Sequence, residues 1–305
     1  MGNKVKAQLS LTAEAELAMI KKRLQHPTKE TIDYWLGTGS KLLNAVFGSE
    51  SNGLPYGKII EVSGYESHGK TAQMYSLASL AQRDGASVGV WDLELTWDQS
   101  WASKLGLDPS KVVVFQPVIG QFGTEKQKRM ITAEEQCEEI EMWMRLHHKR
   151  NPHGRLFLGI DSIAGLVPRE AEEAGLEQNM RTRVSVATFL SWLLPRWQQR
   201  AANYNVLMML VNQIRVAPGR YGNPEYTMGG NAIRFFCAVR VKMRRKGGPI
   251  LKDGKEIGFK GVLQNWKNKA GEGSREHGKC GFKFFYDGRF KYVSENEIKS
   301  EKVEV

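Results

Sequence analysis

The chain has 305 residues, of which 41% are hydrophobic and 25% charged, with a net charge of +11. That composition belongs to a globular protein and excludes a disordered or fibrous chain. No run approaches the ~18 apolar residues of a membrane helix, and the start MGNKVKAQLS lacks the apolar segment of a signal peptide.

In chain order, the first thirty or so residues read as an appendage. Acids follow Thr12, Leu17, Ile20 and Leu24 recur at helical spacing, and Pro27 stops the helix. One short amphipathic helix cannot bury its apolar stripe alone, so it must pack on the core or on a neighbouring molecule. From about Gly37 buried strands alternate with helices. Strands are predicted at 58–63, 87–91, 112–115, 156–160 and 206–211, and helices at 72–81, 134–147 and 184–201. That alternation implies an α/β fold: a mostly parallel central sheet flanked by helices, with ligands at the carboxyl ends of its strands. From Ala238 to Tyr292 shorter strands with turns continue the sheet antiparallel. The division expected is residues 1–36, a core over 37–292, and an acidic tail over 293–305, the tail reading as a solvated terminus. Cys137, Cys237 and Cys280 are far apart and odd in number, which fits a reducing, cytoplasmic setting and neither a disulfide framework nor a zinc site.

The strand at 58–63 and the helix at 72–81 enclose Gly64-Tyr65-Glu66-Ser67-His68-Gly69-Lys70-Thr71, which fits G-x-x-x-x-G-K-[ST]. The glycines let backbone N–H groups turn onto phosphates, and the helix N-terminus, from Ala72 onward, adds its partial positive charge. Lys70 reaches the β/γ-phosphates and Thr71 can bind Mg²⁺. The chain is therefore read as binding a nucleoside triphosphate. Asp161 ends an apolar strand where a carboxylate can hold Mg²⁺ through water. Glu94 ends another and can orient or deprotonate the attacking water, with Asp92 competing for that role. Gln213 ends the next strand, where a neutral amide can report the γ-phosphate.

The charge is uneven. Between Arg240 and Lys291 there are fifteen Lys/Arg against five acids, a footprint suited to a polyanion. The stretch from Arg215 to Gly230, rich in glycine, proline, arginine and tyrosine, reads as a loop that stays mobile until it meets a partner such as single-stranded nucleic acid.

Gly64–Thr71, Asp92-Leu-Glu94, Ile160-Asp-Ser-Ile-Ala164, Asn212-Gln-Ile-Arg215, Gly222-Asn-Pro-Glu225, Gly229-Gly-Asn-Ala232 and Lys267-Asn-Lys269 occur together in order. That series, running from about Gly37 to Arg289, resembles the RecA family of ATP-dependent recombinases. The resemblance implies ATP and Mg²⁺ as cofactors, a RecA-like core, and a homo-oligomeric helical filament on single-stranded DNA that pairs with homologous duplex. It implies that Glu94 is catalytic, that Asp98 and Trp101 contact adenine, and that Lys267 and Lys269 reach a neighbour's ATP. Arg169 to Met180 matches the first DNA-binding loop, with Arg169, Asn179, Met180 and the adjoining Arg181. Arg215 to Asn231 matches the second, with Arg215, Arg220, Tyr221, Gly229, Gly230 and Asn231. The N-terminal helix would dock on the adjacent subunit, and single-strand-binding or loader proteins could assist. The second loop is one residue shorter than the bacterial pattern, with Pro218 and Arg220 unusual there, and the comparison leads to the expectation of a protein without the family's C-terminal domain. Two other readings are a ring-forming DNA helicase, and a filament-forming DNA-binding accessory protein without strand exchange.

Overall fold

The computed structural model describes residues 14–16, 18–19, 32–118, 131–174, 180–216, 225–271 and 278–300, with backbone alone at 180–185 and 299–300. The chain divides into two units, Met1–Ile32 and Asp33–Val305. In the first, Glu14–Glu16 and Ala18–Met19 are helical and exposed, while Leu17, Ile20 and Leu24 lie outside the described residues.

The second unit is built on a ten-stranded sheet, with Trp35–Leu36 and Leu54–Pro55 forming a separate two-stranded one. In chain order it contains β1 (Trp35–Leu36), α1 (Lys41–Phe47), β2 (Leu54–Pro55), β3 (Ile59–Gly64), α2 (Lys70–Arg83), β4 (Ser87–Asp92), α3 (Gln99–Lys104), β5 (Val112–Phe115) and α4 (Ala133–Arg150). It continues with β6 (Leu156–Asp161), α5 (Arg169–Glu173), α6 (Met180–Tyr204), β7 (Val206–Val216), β8 (Glu225–Thr227) and α7 (Gly230–Phe236). It ends with β9 (Val239–Lys252), β10 (Lys255–Asn268), β11 (Lys279–Phe285), β12 (Phe290–Val293) and α8 (Glu295–Ser300).

The strands run β9-β3-β7-β6-β4-β5 in parallel, and β10, β11 and β12 extend the β9 edge antiparallel. Helices cover both faces, which explains why the parallel strands read as near-continuous apolar runs. Along β7, Val206, Met208 and Leu210 face the layer of α4, α6 and α7, whereas Leu207, Met209 and Val211 face the layer of α1 and α2. The period of two sorts one run into two cores. The predicted strands and helices are all present, most of them longer than their sequence patterns.

Two segments differ from expectation. β7 continues to Val216, and β8 pairs back on it antiparallel with Val216 opposite Glu225, so both ends of the expected loop are ordered structure. Residues 295–300 form a helix rather than a solvated tail. Ile298 packs on Val262 and Val293, and Glu295 and Glu297 pair with Lys246, Lys279 and Lys283.

Candidate functional site

Strand register gathers the functional positions at one edge. Gly64 at the end of β3 lies opposite Gln213 of β7, and Asp92 of β4 opposite Asp161 of β6. The connection from β3 to α2 is the phosphate loop. A Cβ on Gly64 would meet the Met243 carbonyl at 2.5 Å, and Gly69 has φ +89° with Met243 and Phe259 side chains close by. Both positions need glycine, on steric and conformational grounds respectively. Tyr65 and His68 are half-buried, Glu66 and Ser67 exposed, and Ala72 buried in the first turn of the loop's helix.

Lys70 is buried, and its Nζ donates to the Tyr65 carbonyl at 2.7 Å. Burial pushes its amine below the usual lysine range, against the pull of Asp161, Glu94 and Glu66. Thr71 Oγ1 donates to Asp161 Oδ2 at 2.5 Å. Burial raises the Asp161 carboxyl to about 6 despite that hydrogen bond, with the Glu94 charge adding to the rise and Lys70 opposing it. A buried carboxylate beside a hydroxyl, both oxygen donors, suits a hard divalent cation that takes its remaining ligands from phosphates and water. Among the described residues no cluster of three or more His, Cys, Asp or Glu side chains offers a metal cage.

Glu94 is exposed, and its Oε1 accepts from Ser162 Oγ at 2.5 Å and from Gln213 Nε2 at 3.2 Å. Asp92 has a different environment. It is 1% exposed and accepts from the Thr96 and Trp97 amides at 3.1 and 2.8 Å and from Gln116 Nε2 at 2.8 Å. Its carboxylate is consumed in shaping the turn after β4, which leaves Glu94 as the carboxylate open to water. Asp98 caps α3, accepting from the Ser100 and Trp101 amides at 2.7 and 3.1 Å. Trp101 is half-buried, edge-on to Phe284.

A second network lies beneath this edge. Glu61, 0% exposed, accepts from Arg240 Nε at 2.5 Å and from Asn212 Nδ2 at 2.7 Å. Arg240 Nη2 also donates to Thr227 Oγ1, and Asn212 Nδ2 to the Met228 carbonyl. The pair is satisfied on both sides, as a buried ion pair must be. It ties β3, β7 and β9 to the end of β8.

A profile of the RecA N-terminal domain matches residues 17–140 and 154–286. The chain belongs to the RecA family. Protein RecA of Pseudomonas putida is 33% identical over 237 residues, 77% of this chain and 60% of that protein. Protein RecA of Mannheimia haemolytica is 32% identical over 244 residues, 79% of this chain and 59% of that protein. The chain therefore spans about 60% of the length of the curated relatives it matches.

Within this RecA-family core, Lys70, Thr71, Asp161, Glu94 and Gln213 come together. Lys267 and Lys269 do not join them. Lys267 pairs with Arg240, which lies opposite Glu61, so it is three positions short of Gly64 and two strands away. Its Nζ donates to the Arg234 and Phe235 carbonyls at the end of α7, and burial beside Lys269 lowers its pKa. The Lys269 amide donates to the Ala238 carbonyl. Neither lysine belongs to its own chain's phosphate site.

Of the expected DNA-contacting residues, Arg169 opens α5, Arg215 is exposed in β7, and Gly229 caps α7, whose first residues are Gly230 and Asn231. Met180 and Arg181 begin α6, while Asn179, Pro218, Arg220 and Tyr221 lie outside the described residues. Part of the basic surplus, Arg244, Arg245, Lys246 and Lys279, lines an open groove of about 390 Å³ together with Glu295. No helix among the described residues is long and apolar enough to cross a membrane.

Sequence reasoning gave no role to Ser162, Glu61 or Arg240. A signal for the last two existed: a carboxylate inside the apolar run Lys58–Ser63 and an arginine inside Val239–Val241 each require a partner once buried.

Proposed function

We propose that this chain is a DNA-dependent ATPase that assembles as a filament on single-stranded DNA and promotes homologous pairing and strand exchange. The observation that carries the reading is the Gln213–Glu94 contact at 3.2 Å, because Gln213 also opens the route along β7 to Arg215 and the hairpin. One side chain thus touches the hydrolytic carboxylate and belongs to the strand that leads to the DNA-facing segment.

In this account the backbone of Gly64–Gly69 and Lys70 hold the phosphates of ATP. Thr71 and Asp161 would hold Mg²⁺, which would neutralise charge on the phosphate oxygens. Glu94 accepts a proton from the attacking water, and Ser162 and Gln213 fix its carboxylate in place. Asp98 and Trp101 border the base. Lys267 and Lys269, placed away from their own phosphate loop, act on a neighbour's ATP and make hydrolysis depend on assembly. Phe235, 72% exposed at the end of α7 that Lys267 holds, gives the same interface an apolar contact. The basic groove beside β9–β11 receives duplex DNA through its phosphates.

Electron microscopy of the protein with single-stranded DNA and a non-hydrolysable ATP analogue tests the reading. Helical filaments that depend on both ligands support it. Closed rings would favour a helicase, and filaments from a protein that hydrolyses nothing would favour an accessory role.

A further inference from the structure

The phosphate loop carries one contact that phosphate binding does not require. The Tyr65 hydroxyl donates to Glu225 Oε1 at 2.7 Å, joining positions 160 residues apart. The same residue's carbonyl accepts the Lys70 amine at 2.7 Å. Glu225 opens β8, opposite Val216 of β7. Its other oxygen accepts from Lys242 Nζ, and Arg244 Nη2 reaches both oxygens at 2.5 and 2.6 Å. Lys242 is 2% exposed and lies over the Trp266 ring at 4.6 Å. A buried ammonium is strongly unfavourable unless paired, so Lys242 fixes Glu225 rather than leaving it to solvent. Trp266 in turn precedes Lys267.

We propose that Tyr65 and Glu225 form a clasp, two positioning residues through which the phosphate loop and the β7–β8 hairpin change arrangement together. The inference rests on the reading above that the hairpin faces DNA. Its mechanism is local. When the Lys70 amine turns from the Tyr65 carbonyl to a phosphate, residues 64–66 lose that restraint, and the Tyr65 hydroxyl carries the change to Glu225. The Glu61–Arg240 network holds the far end of the same hairpin through Thr227 and Met228, so a change at the phosphate loop enters the hairpin at Glu225. Linkage makes the coupling reciprocal: DNA on the hairpin biases the phosphate loop as much as nucleotide biases the hairpin.

The test is Tyr65→Phe, which removes the hydroxyl and keeps the ring against His68. The affinity for a fluorescent oligothymidylate is measured at saturating ATP analogue and at saturating ADP, and the ratio of the two is the readout. A merely structural defect would weaken both affinities and leave the ratio unchanged. The clasp predicts that the ratio falls by about fivefold or more, and that Lys242→Met lowers it too. An unchanged ratio in a folded Tyr65→Phe protein, beside a clear ratio in the parent, would overturn the clasp while sparing the function. A parent protein whose DNA affinity ignores nucleotide would overturn the proposed function, and the clasp with it.

Discussion

Ser162 Oγ donates to Glu94 Oε1 at 2.5 Å, the same oxygen that accepts from Gln213. The carboxylate assigned to the attacking water is therefore aimed by two neutral donors, one at the end of β6 and one on β7. Neither donor neutralises its charge, so it remains able to take a proton.

Glu94→Gln keeps the shape and removes the base. Turnover should fall by about 10²–10⁴-fold while ATP still binds, measured as steady-state hydrolysis beside fluorescent nucleotide binding. Full turnover by this variant would remove Glu94 from the chemistry.

Ser162→Ala removes one of the two donors. A hydrogen bond to a charged group contributes about 1.5–3 kcal/mol, so turnover should fall by about tenfold or more. Fluorescent ATP binding and thermal unfolding separate aim from fold. Losing the donor to Glu94 should lower turnover and leave both as in the parent, whereas a structural defect would weaken both.

Asp92→Ala should do the reverse. Three groups, the Thr96 and Trp97 amides and Gln116, would lose a buried acceptor, at a cost of about 1–3 kcal/mol in stability. Denaturant unfolding measures the loss, and turnover per folded molecule should stay within about tenfold of the parent. A stable Asp92→Ala protein without turnover would return the catalytic role to Asp92.

Glu225 is opposed by burial, but the hydrogen bonds from Lys242, Tyr65 and Arg244 win and lower its carboxyl from 4.5 to about 2. Because the folded value lies below the unfolded one, its stabilisation is complete above pH 4.5 and is lost as the pH falls toward 2. Glu225→Gln should flatten the acid loss of stability across that window, read from denaturant midpoints at successive pH values. An unaltered pH dependence would show that the carboxylate gains nothing from its three donors.

Much of the site was legible because its chemistry is local. Gly64–Thr71 lies between a strand run and a helix run, and Asp161, Glu94 and Gln213 each follow an apolar strand, so period and position place them at one edge. The choice between Asp92 and Glu94 was not legible in the strand pattern, and only the family resemblance favoured Glu94. Both close the same strand pattern two residues apart, and burial together with the hydrogen bonds from Thr96, Trp97 and Gln116 assigns Asp92 to the turn and leaves Glu94 to water. The Glu61–Arg240 pair was hidden for another reason, since it joins residues 179 apart and no local pattern names a partner at that range. The β7–β8 hairpin was missed because its glycines and prolines read as an unpaired loop. What orders Glu225 is a tertiary cluster, Tyr65 with Lys242 and Arg244, drawn from distant strands. For Lys267, sequence resemblance implied a role and the strand register then showed that it cannot be played at the chain's own phosphate loop.

The most direct test of the central claim is ATP hydrolysis by the purified protein with and without single-stranded DNA, beside Lys267→Ala, with thermal unfolding confirming that the variant is folded. An interface active site predicts strong stimulation by DNA in the parent and its loss in the variant. Hydrolysis indifferent to both DNA and Lys267 would contradict the account.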